Sequence, residues 1–326
     1  MRIFNGKKTA EKILLDLKKR ISKEKLKPKL AVILVGQDKT SKLYIKLKRR
    51  AAKKIGIKLV LYKFKRNVVD EDKSSSPPLR CDARVVEEDK SSSLPFANAR
   101  VVEEDKSSSL PFANARVKEE KIIQKIKNLN NNSSVHGVIV QLPLPKKFNP
   151  NRIIGTINPK KDVDGFRKNS CFSPVLLSAI LFSMKRATKI FKKKKIVALV
   201  NSKILGETFK LFLKKEGIKI DYILTKKHLS FEIKKVRDKL KRADALVAVL
   251  GRPSFIKGDM IKDKAILIDA GITKIGPKKV VGDVDRESVK EKASFLTPVP
   301  GGIGPLTVAL LLKNTYLAAK NYGKHS

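Results

Sequence analysis

Lys29–Gly36 reads KLAVILVG, an unbroken apolar run closed by glycine. A strand with one face in water alternates apolar and polar residues. A strand buried on both faces is apolar throughout, as in the parallel sheets of α/β proteins. The neighbouring segments fit that reading. Upstream, Ile13, Leu14, Leu17 and Ile21 recur at helical spacing within Ala10–Glu24, with mostly charged residues between them. Downstream, the pattern predicts a helix over Ser41–Ile55, a strand over Ile57–Phe64, a helix over Lys118–Leu129 and a strand over Gly137–Leu142. Strand alternating with helix predicts an α/β fold with parallel strands.

The rhythm resumes where KKKKIVALVNS (192–202) leads from a basic run into an apolar strand. Helices over Leu205–Gly217 and Phe231–Arg242 alternate with strands over Ile218–Leu224, Ala245–Leu250 and Ala265–Ala270. This is the succession of an open dinucleotide-type sheet. TPVPGGIGPLT then forms a rigid Pro/Gly loop before a last helix over Leu306–Ala319.

Residues 67–116 break the pattern. RVVEEDKSSSLPFANA occupies Arg84–Ala99 and recurs unchanged at Arg100–Ala115, behind a degraded copy starting at Asn67. Stacked repeats that share a core are one reading, but such repeats usually run to about 20–50 residues and carry more apolar side chains than these. The reading adopted is an in-frame duplication forming a disordered surface insert, rich in Ser, Pro and short charge runs.

The chain has 326 residues, 41% of them hydrophobic, which suits one or two domains with sizeable cores. Lys and Arg number 74 against 31 Asp and Glu, a formal net charge of +43. Such a charge admits a nucleic-acid surface, anionic substrates or a compositional habit. Against nucleic acid, the lysines are spread over every helix, aromatics are 6% and Trp is absent, so no specific nucleic-acid partner is expected. Cys81 and Cys171 make no disulfide framework, which points to a reducing, cytoplasmic setting. The longest apolar run, Pro174–Met184, falls well short of the ~20 residues of a membrane span, and MRIFNGKKTAEKILL carries no secretion signal.

Four segments could carry chemistry. In SKLYIKLK, Tyr44 and Lys48 share a helical face; such a pair can move protons if burial lowers the lysine, although one lysine among many usually faces solvent. HGVIVQLPLP sets the Gln141 amide at the end of a strand, where open sheets bind ligands, or else merely caps that strand. KDVDGF brings Asp162 and Asp164 together without a His/Cys cluster, so no metal site is expected. The loop from Pro298 to Pro305 offers backbone groups to a ligand or simply acts as a hinge.

Taken in order, SKLYIKLK, VHGVIVQLPLP, KDVDGF, VVGDVD and TPVPGGIGPLT resemble the bifunctional methylenetetrahydrofolate dehydrogenase/methenyltetrahydrofolate cyclohydrolase family over nearly the whole chain outside the insert. The resemblance implies two domains: an N-terminal α/β folate domain (1–173 plus 298–326, with insert 67–116) and a Rossmann-like NAD(P) domain (174–297), the last helix returning to the first domain. It implies a catalytic set of Lys48, Tyr44 stacking on the folate, Gln141 holding the lysine and Asp164 holding the pterin ring. Val140, Leu142, Pro300, Gly301, Gly302, Ile303, Gly304 and Pro305 would complete the tetrahydrofolate site. Val200, Asn201, Ser202, Gly206, Thr225, His228, Gly251 and Ile272 would bind NADP, or NAD. A homodimer and a role in one-carbon supply to purine biosynthesis are implied too. Surrounding positive charge would keep Lys48 neutral, since like charges depress a lysine.

Two stretches depart from the family. At the cofactor turn, Val200 and Asn201 stand where it has Gly and Arg, the Arg that helps hold the 2′-phosphate of NADP, and Thr208 replaces Pro. The chain after Phe166 is shorter, Ser173-Pro174 standing for the family's Thr-Pro. Three readings stay open: a dinucleotide bound through altered contacts, a cyclohydrolase with weakened dehydrogenase activity, or a decaying copy. The rival from another class is a basic nucleic-acid-binding protein.

Overall fold

The computed structural model describes residues 1–36, 38–64, 84–88, 99–103, 119–145, 147–191, 194–225, 233–276 and 279–322. The chain divides into two compact units, Leu14–Ser173 with Leu311–Ser326, and Met1–Ile13 with Pro174–Leu310. In chain order the elements begin with β1 (Arg2–Ile3), α1 (Gly6–Lys23), β2 (Lys29–Val35), α2 (Lys39–Ile55) and β3 (Lys58–Phe64). Next come β4 (Arg84–Glu88), β5 (Ala99–Glu103), α3 (Glu119–Asn131), β6 (Gly137–Val140) and α4 (Pro150–Gly155).

Of these, β2 to β6 build the sheet of the Leu14–Ser173 unit, ordered β5-β4-β3-β2-β6. β2 lies in the centre and pairs in parallel with both β3 and β6, which is why KLAVILV needs no polar face. Ala31, Ile33 and Val35 from β2 pack with Val138 and Val140 from β6 and with Ile122, Ile126 and Leu129 from α3. α2 starts on Asp38, whose carboxylate accepts from Ser41 N at 2.6 Å, and ends on left-handed Gly56 (φ +81).

Part of the repeat is strand, contrary to the disordered insert expected at 67–116. β4 pairs antiparallel with β3, and β5 with β4. Both strands carry Arg-Val-Val-Glu, one from each copy. Antiparallel pairing of identical copies sets Arg84 across from Glu103, Val85 across from Val102, Val86 across from Val101 and Glu87 across from Arg100. The register sets one copy of the motif against the other, so duplication supplies a partner strand. The Ser-rich stretches between lie outside the described residues.

The remaining elements are α5 (Val175–Ala187), β7 (Ile196–Val200), α6 (Lys203–Lys215), β8 (Asp221–Leu224), α7 (Ile233–Lys241), β9 (Ala245–Val249), β10 (Ile266–Asp269), the ribbon β11 (Thr273–Lys274) and β12 (Val280–Val281), α8 (Arg286–Val289), β13 (Phe295–Leu296) and α9 (Ile303–Tyr322). The sheet of this unit is ordered β1-β13-β10-β9-β7-β8, every pair parallel. One face packs on α5 and α6 through Ile180, Met184, Phe209 and Leu213; the other buries Val236, Leu240, Ile256 and Val289. Strand order reverses between β7 and β9, the switch point where open α/β sheets bind ligands.

Residues 1–13 and 298–310 fall in this unit rather than with the folate domain to which the sequence reading assigned them. The cause is β1, which extends the parallel sheet by pairing Arg2 with Phe295 and Ile3 with Leu296. Lys7 N then donates to Gly301 O at 3.0 Å. α9 is shared, its residues from Leu311 onward belonging to the first unit.

Candidate functional site

In the Leu14–Ser173 unit, Lys48 lies on the buried stripe of α2 with Ser41, Ile45, Ala52 and Ile55. Its Nζ donates to Gln141 Oε1 at 2.8 Å. Gln141 sits just past β6, where its N donates to Ile33 O at 2.8 Å and its Nε2 to Leu142 O at 2.9 Å. Gln141 is therefore held at three points and presents its side-chain oxygen to the lysine.

Lys48 is only 9% exposed, and burial pushes its amine below the ordinary lysine value. The negative charge of Asp164 acts in the other direction, raising the lysine. The cause is thus desolvation, and the neighbouring charge that matters is an acid, not the surrounding lysines invoked above. Burial likewise pushes the Asp164 carboxyl up to about 6, against the pull of Lys48. Burial raises the Tyr44 hydroxyl to about 12, so it remains a phenol through the working range. An amine lowered by burial, on an amide acceptor and beside a carboxyl raised by burial, is a device for moving protons.

Asp164 is held by neighbours whose parts the sequence reading missed. Asp162 accepts from Gly165 N at 3.1 Å and Arg167 N at 2.8 Å, closing the turn around Asp164. Lys161, 1% exposed, donates its Nζ to Leu129 O at 3.1 Å and Asn132 O at 2.7 Å. Asn314 Nδ2 holds Val163 O at 2.9 Å. A loop whose apparent chemistry is two aspartates thus spends one on its own turn. Val140 is a core residue, while Leu142, half-buried, precedes Pro143 through a cis bond.

The other unit carries the remaining residues. Ser202 caps α6, its Oγ accepting from Leu205 N at 3.3 Å, so the positive end of that helix lies at the carboxyl edge of β7. Asn201 Nδ2 donates to Leu250 O at 3.3 Å, linking the edges of β7 and β9 across the switch point. Gly206 is a packing residue, since a Cβ there would strike the Tyr222 ring. Thr225 is buried at the end of β8, with N donating to Val200 O. Gly251 has φ +69, and a Cβ built on it meets nothing within 4 Å. Ile272 is half-buried after Gly271. This edge fits a dinucleotide: a capped helix terminus for phosphate and open space at the turn after β9. His228 lies outside the described residues.

The loop Pro300–Pro305 also belongs to this unit. Gly302 N donates to Pro298 O at 2.7 Å, and Thr307 Oγ1 to Gly304 O at 2.7 Å. Gly301 has φ +107, Pro300 follows a cis bond, and Ile303 is buried in the core. Among the described residues no group of three or more His, Cys, Asp or Glu could hold a metal ion. Nor is any helix among them long and apolar enough to cross a membrane.

A dinucleotide-type sheet in one unit and a buried lysine–amide–carboxyl cluster in the other define a two-unit α/β enzyme that handles protons and a nucleotide. The family models agree. The one for the tetrahydrofolate dehydrogenase/cyclohydrolase catalytic domain matches residues 4–75 and 99–164, and the one for that family's NAD(P)-binding domain matches 175–323. The bifunctional protein FolD of Nautilia profundicola is 33% identical, covering 99% of each chain, and that of Moorella thermoacetica is 32% identical, covering 98% of each. Among solved structures, the Campylobacter jejuni FolD enzyme superposes with TM-score 0.73 at 27% identity, covering 98% of this chain and 99% of that one. The 5,10-methylenetetrahydrofolate dehydrogenase of the silkworm Bombyx mori gives TM-score 0.72 at 28% identity over 99% of both chains. The chain belongs to the tetrahydrofolate dehydrogenase/cyclohydrolase family. Its catalytic-domain match skips only 76–98, so the stretch foreign to the family is narrower than the 67–116 expected.

Proposed function

We propose that this chain interconverts 5,10-methylenetetrahydrofolate, 5,10-methenyltetrahydrofolate and 10-formyltetrahydrofolate through successive dehydrogenase and cyclohydrolase activities. The observation that carries the reading is the buried Lys48 amine, held at 2.8 Å by Gln141 and lowered by desolvation, with Asp164 acting on it electrostatically. When bound, NAD(P) supplies the acceptor for the hydride leaving the methylene carbon. The methenyl product is an amidinium-like cation open to water. Neutral Lys48 takes a proton as water adds to the cation's carbon. The carbon–nitrogen bond then breaks as that proton passes to the departing ring nitrogen, and the hydroxyl left by water releases its own proton to become the formyl oxygen. Gln141 holds the amine without adding charge, Asp164 anchors the pterin and the Tyr44 ring covers it.

NADP is our proposed acceptor, with NAD as the alternative. Lys203, the first residue of α6, supplies positive charge near the turn where Asn201 stands in place of arginine. That replacement also favours a second reading, a cyclohydrolase with weakened dehydrogenase activity. Two assays separate them: formation of the methenyl chromophore from methylenetetrahydrofolate with each dinucleotide, and hydrolysis of supplied methenyltetrahydrofolate without one. Hydrolysis without dehydrogenation would leave the cyclohydrolase alone, and neither activity would refute the proposal. A homodimer and a reducing cytoplasmic setting, suited to two cysteines, complete the reading.

A further inference from the structure

Two buried carboxylates in the Met1–Ile13/Pro174–Leu310 unit have no part in the chemistry above. Asp269 ends β10 and is 2% exposed; Asp283 follows β12 and is 0% exposed. Burying a carboxylate is costly unless hydrogen bonds compensate. Here they do, in a chain that ends at the switch-point edge. Asp269 accepts from the backbone N of Gly271 at 3.0 Å, Asp283 at 3.1 Å and Val284 at 2.9 Å. It is itself set by Thr297, whose Oγ1 accepts from Asp269 N at 2.7 Å and donates to Asp269 O at 3.1 Å. Asp283, positioned through its own N–H, accepts from Leu250 N at 2.6 Å and Arg252 N at 2.7 Å.

Those two donors straddle Gly251, the left-handed turn residue after β9. Leu250 O in turn receives the Asn201 amide from the edge of β7. The two carboxylates also interlock with two glycines: a Cβ on Gly271 would collide with the Asp283 carboxylate, and one on Gly282 with that of Asp269. The DAG of 269–271 and the GD of 282–283 are therefore one unit built from two loops, each glycine clearing space for the other loop's acid.

We propose that Asp283, seated by Asp269, is a positioning residue for hydride transfer: it fixes the Leu250–Arg252 turn against which the nicotinamide half of the dinucleotide lies. The proposal rests on the dehydrogenase reading above. The adenine-side phosphates would meet α6 instead, so disturbing Asp283 separates rate from affinity. Misplacement by about an ångström can cost up to about a hundredfold in rate.

The test uses full-length Asp283→Asn, which keeps one acceptor oxygen and loses the other, and Gly271→Ala, which presses on the same carboxylate from outside. Dehydrogenase kcat should fall at least about tenfold in both, with the KM for the dinucleotide within about threefold. Hydrolysis of supplied methenyltetrahydrofolate without dinucleotide should stay within about twofold of wild type. Dehydrogenase kcat within about twofold of wild type in both variants would overturn the proposal. So would joint loss of both activities with a collapsed melting temperature, which would make the pair a folding element only. A wild-type chain that hydrolyses but does not dehydrogenate would refute the dehydrogenase reading itself, before any variant is compared.

Discussion

At the scale of single residues, position decides what Lys48 can do. The stripe Ile45, Lys48, Ala52, Ile55 follows helical spacing, so a lysine occupies a place where α2 otherwise buries apolar side chains. A desolvated amine loses its proton more readily, and Gln141 accepts a hydrogen bond from it without restoring charge. Lys48→Met keeps the stem's bulk and removes the nitrogen. It should abolish cyclohydrolase turnover, a loss of at least about a hundredfold, while folate binding by titration survives; retained hydrolysis would remove Lys48 from the mechanism. The sign of the Asp164 effect is also fixed. Its negative charge raises Lys48, so Asp164→Asn should lower the lysine further and move the acid limb of the cyclohydrolase pH profile to lower pH. A limb that stays put or moves up would break the coupling. Four of the site residues were legible as motif positions, but their electrostatics were not: composition shows a sea of lysines, and only the packing of α2 shows that Lys48 is among the dry ones.

At the scale of elements, the apolar runs made the central strands readable and the short pieces invisible. β2, β3, β9 and β10 fall within a residue or two of their expected bounds, and β7 lies in its expected apolar run, because burial on both faces leaves a strong pattern. β1 and β13, two residues each, carry no periodicity and leave no signal in the sequence. Lys161 was read only as part of a motif, yet its buried ammonium fastens the end of α3 to the loop of Asp164. Lys161→Met would take the lysine donor from Leu129 O and leave Asn132 O with Val135 N alone, and should lower stability by about 1–3 kcal/mol, read as a lower melting temperature; an unchanged midpoint would mean water replaces the amine. The repeat yields a sharper test. Deleting 76–98 removes β4 but spares Arg100–Glu103, which carries the same Arg-Val-Val that β4 sets against β3. The remaining copy can take the vacated register, so the deletion should keep both activities within about threefold and the melting temperature within a few degrees. Loss of folding would show that the duplication has become necessary to the sheet.

At the scale of the whole molecule, the surplus of 43 positive charges cannot be paired internally, because only 31 acids exist to pair 74 bases. Several of those acids are already committed in buried positions, among them Asp164, Asp269 and Asp283. Ion pairs such as Arg20–Asp16 and Lys262–Asp244 are exposed, and pairs of that kind contribute about 0–1 kcal/mol each. Self-repulsion therefore outweighs attraction at low ionic strength. Raising salt from about 0.01 M to about 0.15 M shortens the screening length from about 30 Å to about 8 Å. Repulsion between distant lysines fades first, so the melting temperature should rise by several degrees across that series. The same screening weakens the pull on folate carboxylates and dinucleotide phosphates, so KM for both should rise as the protein becomes more stable. A melting temperature that falls with salt would mean that specific ion pairs dominate. Opposite slopes of stability and affinity in one titration would identify the charge as a field that gathers anionic ligands at the cost of self-repulsion, with no nucleic-acid partner needed to explain it.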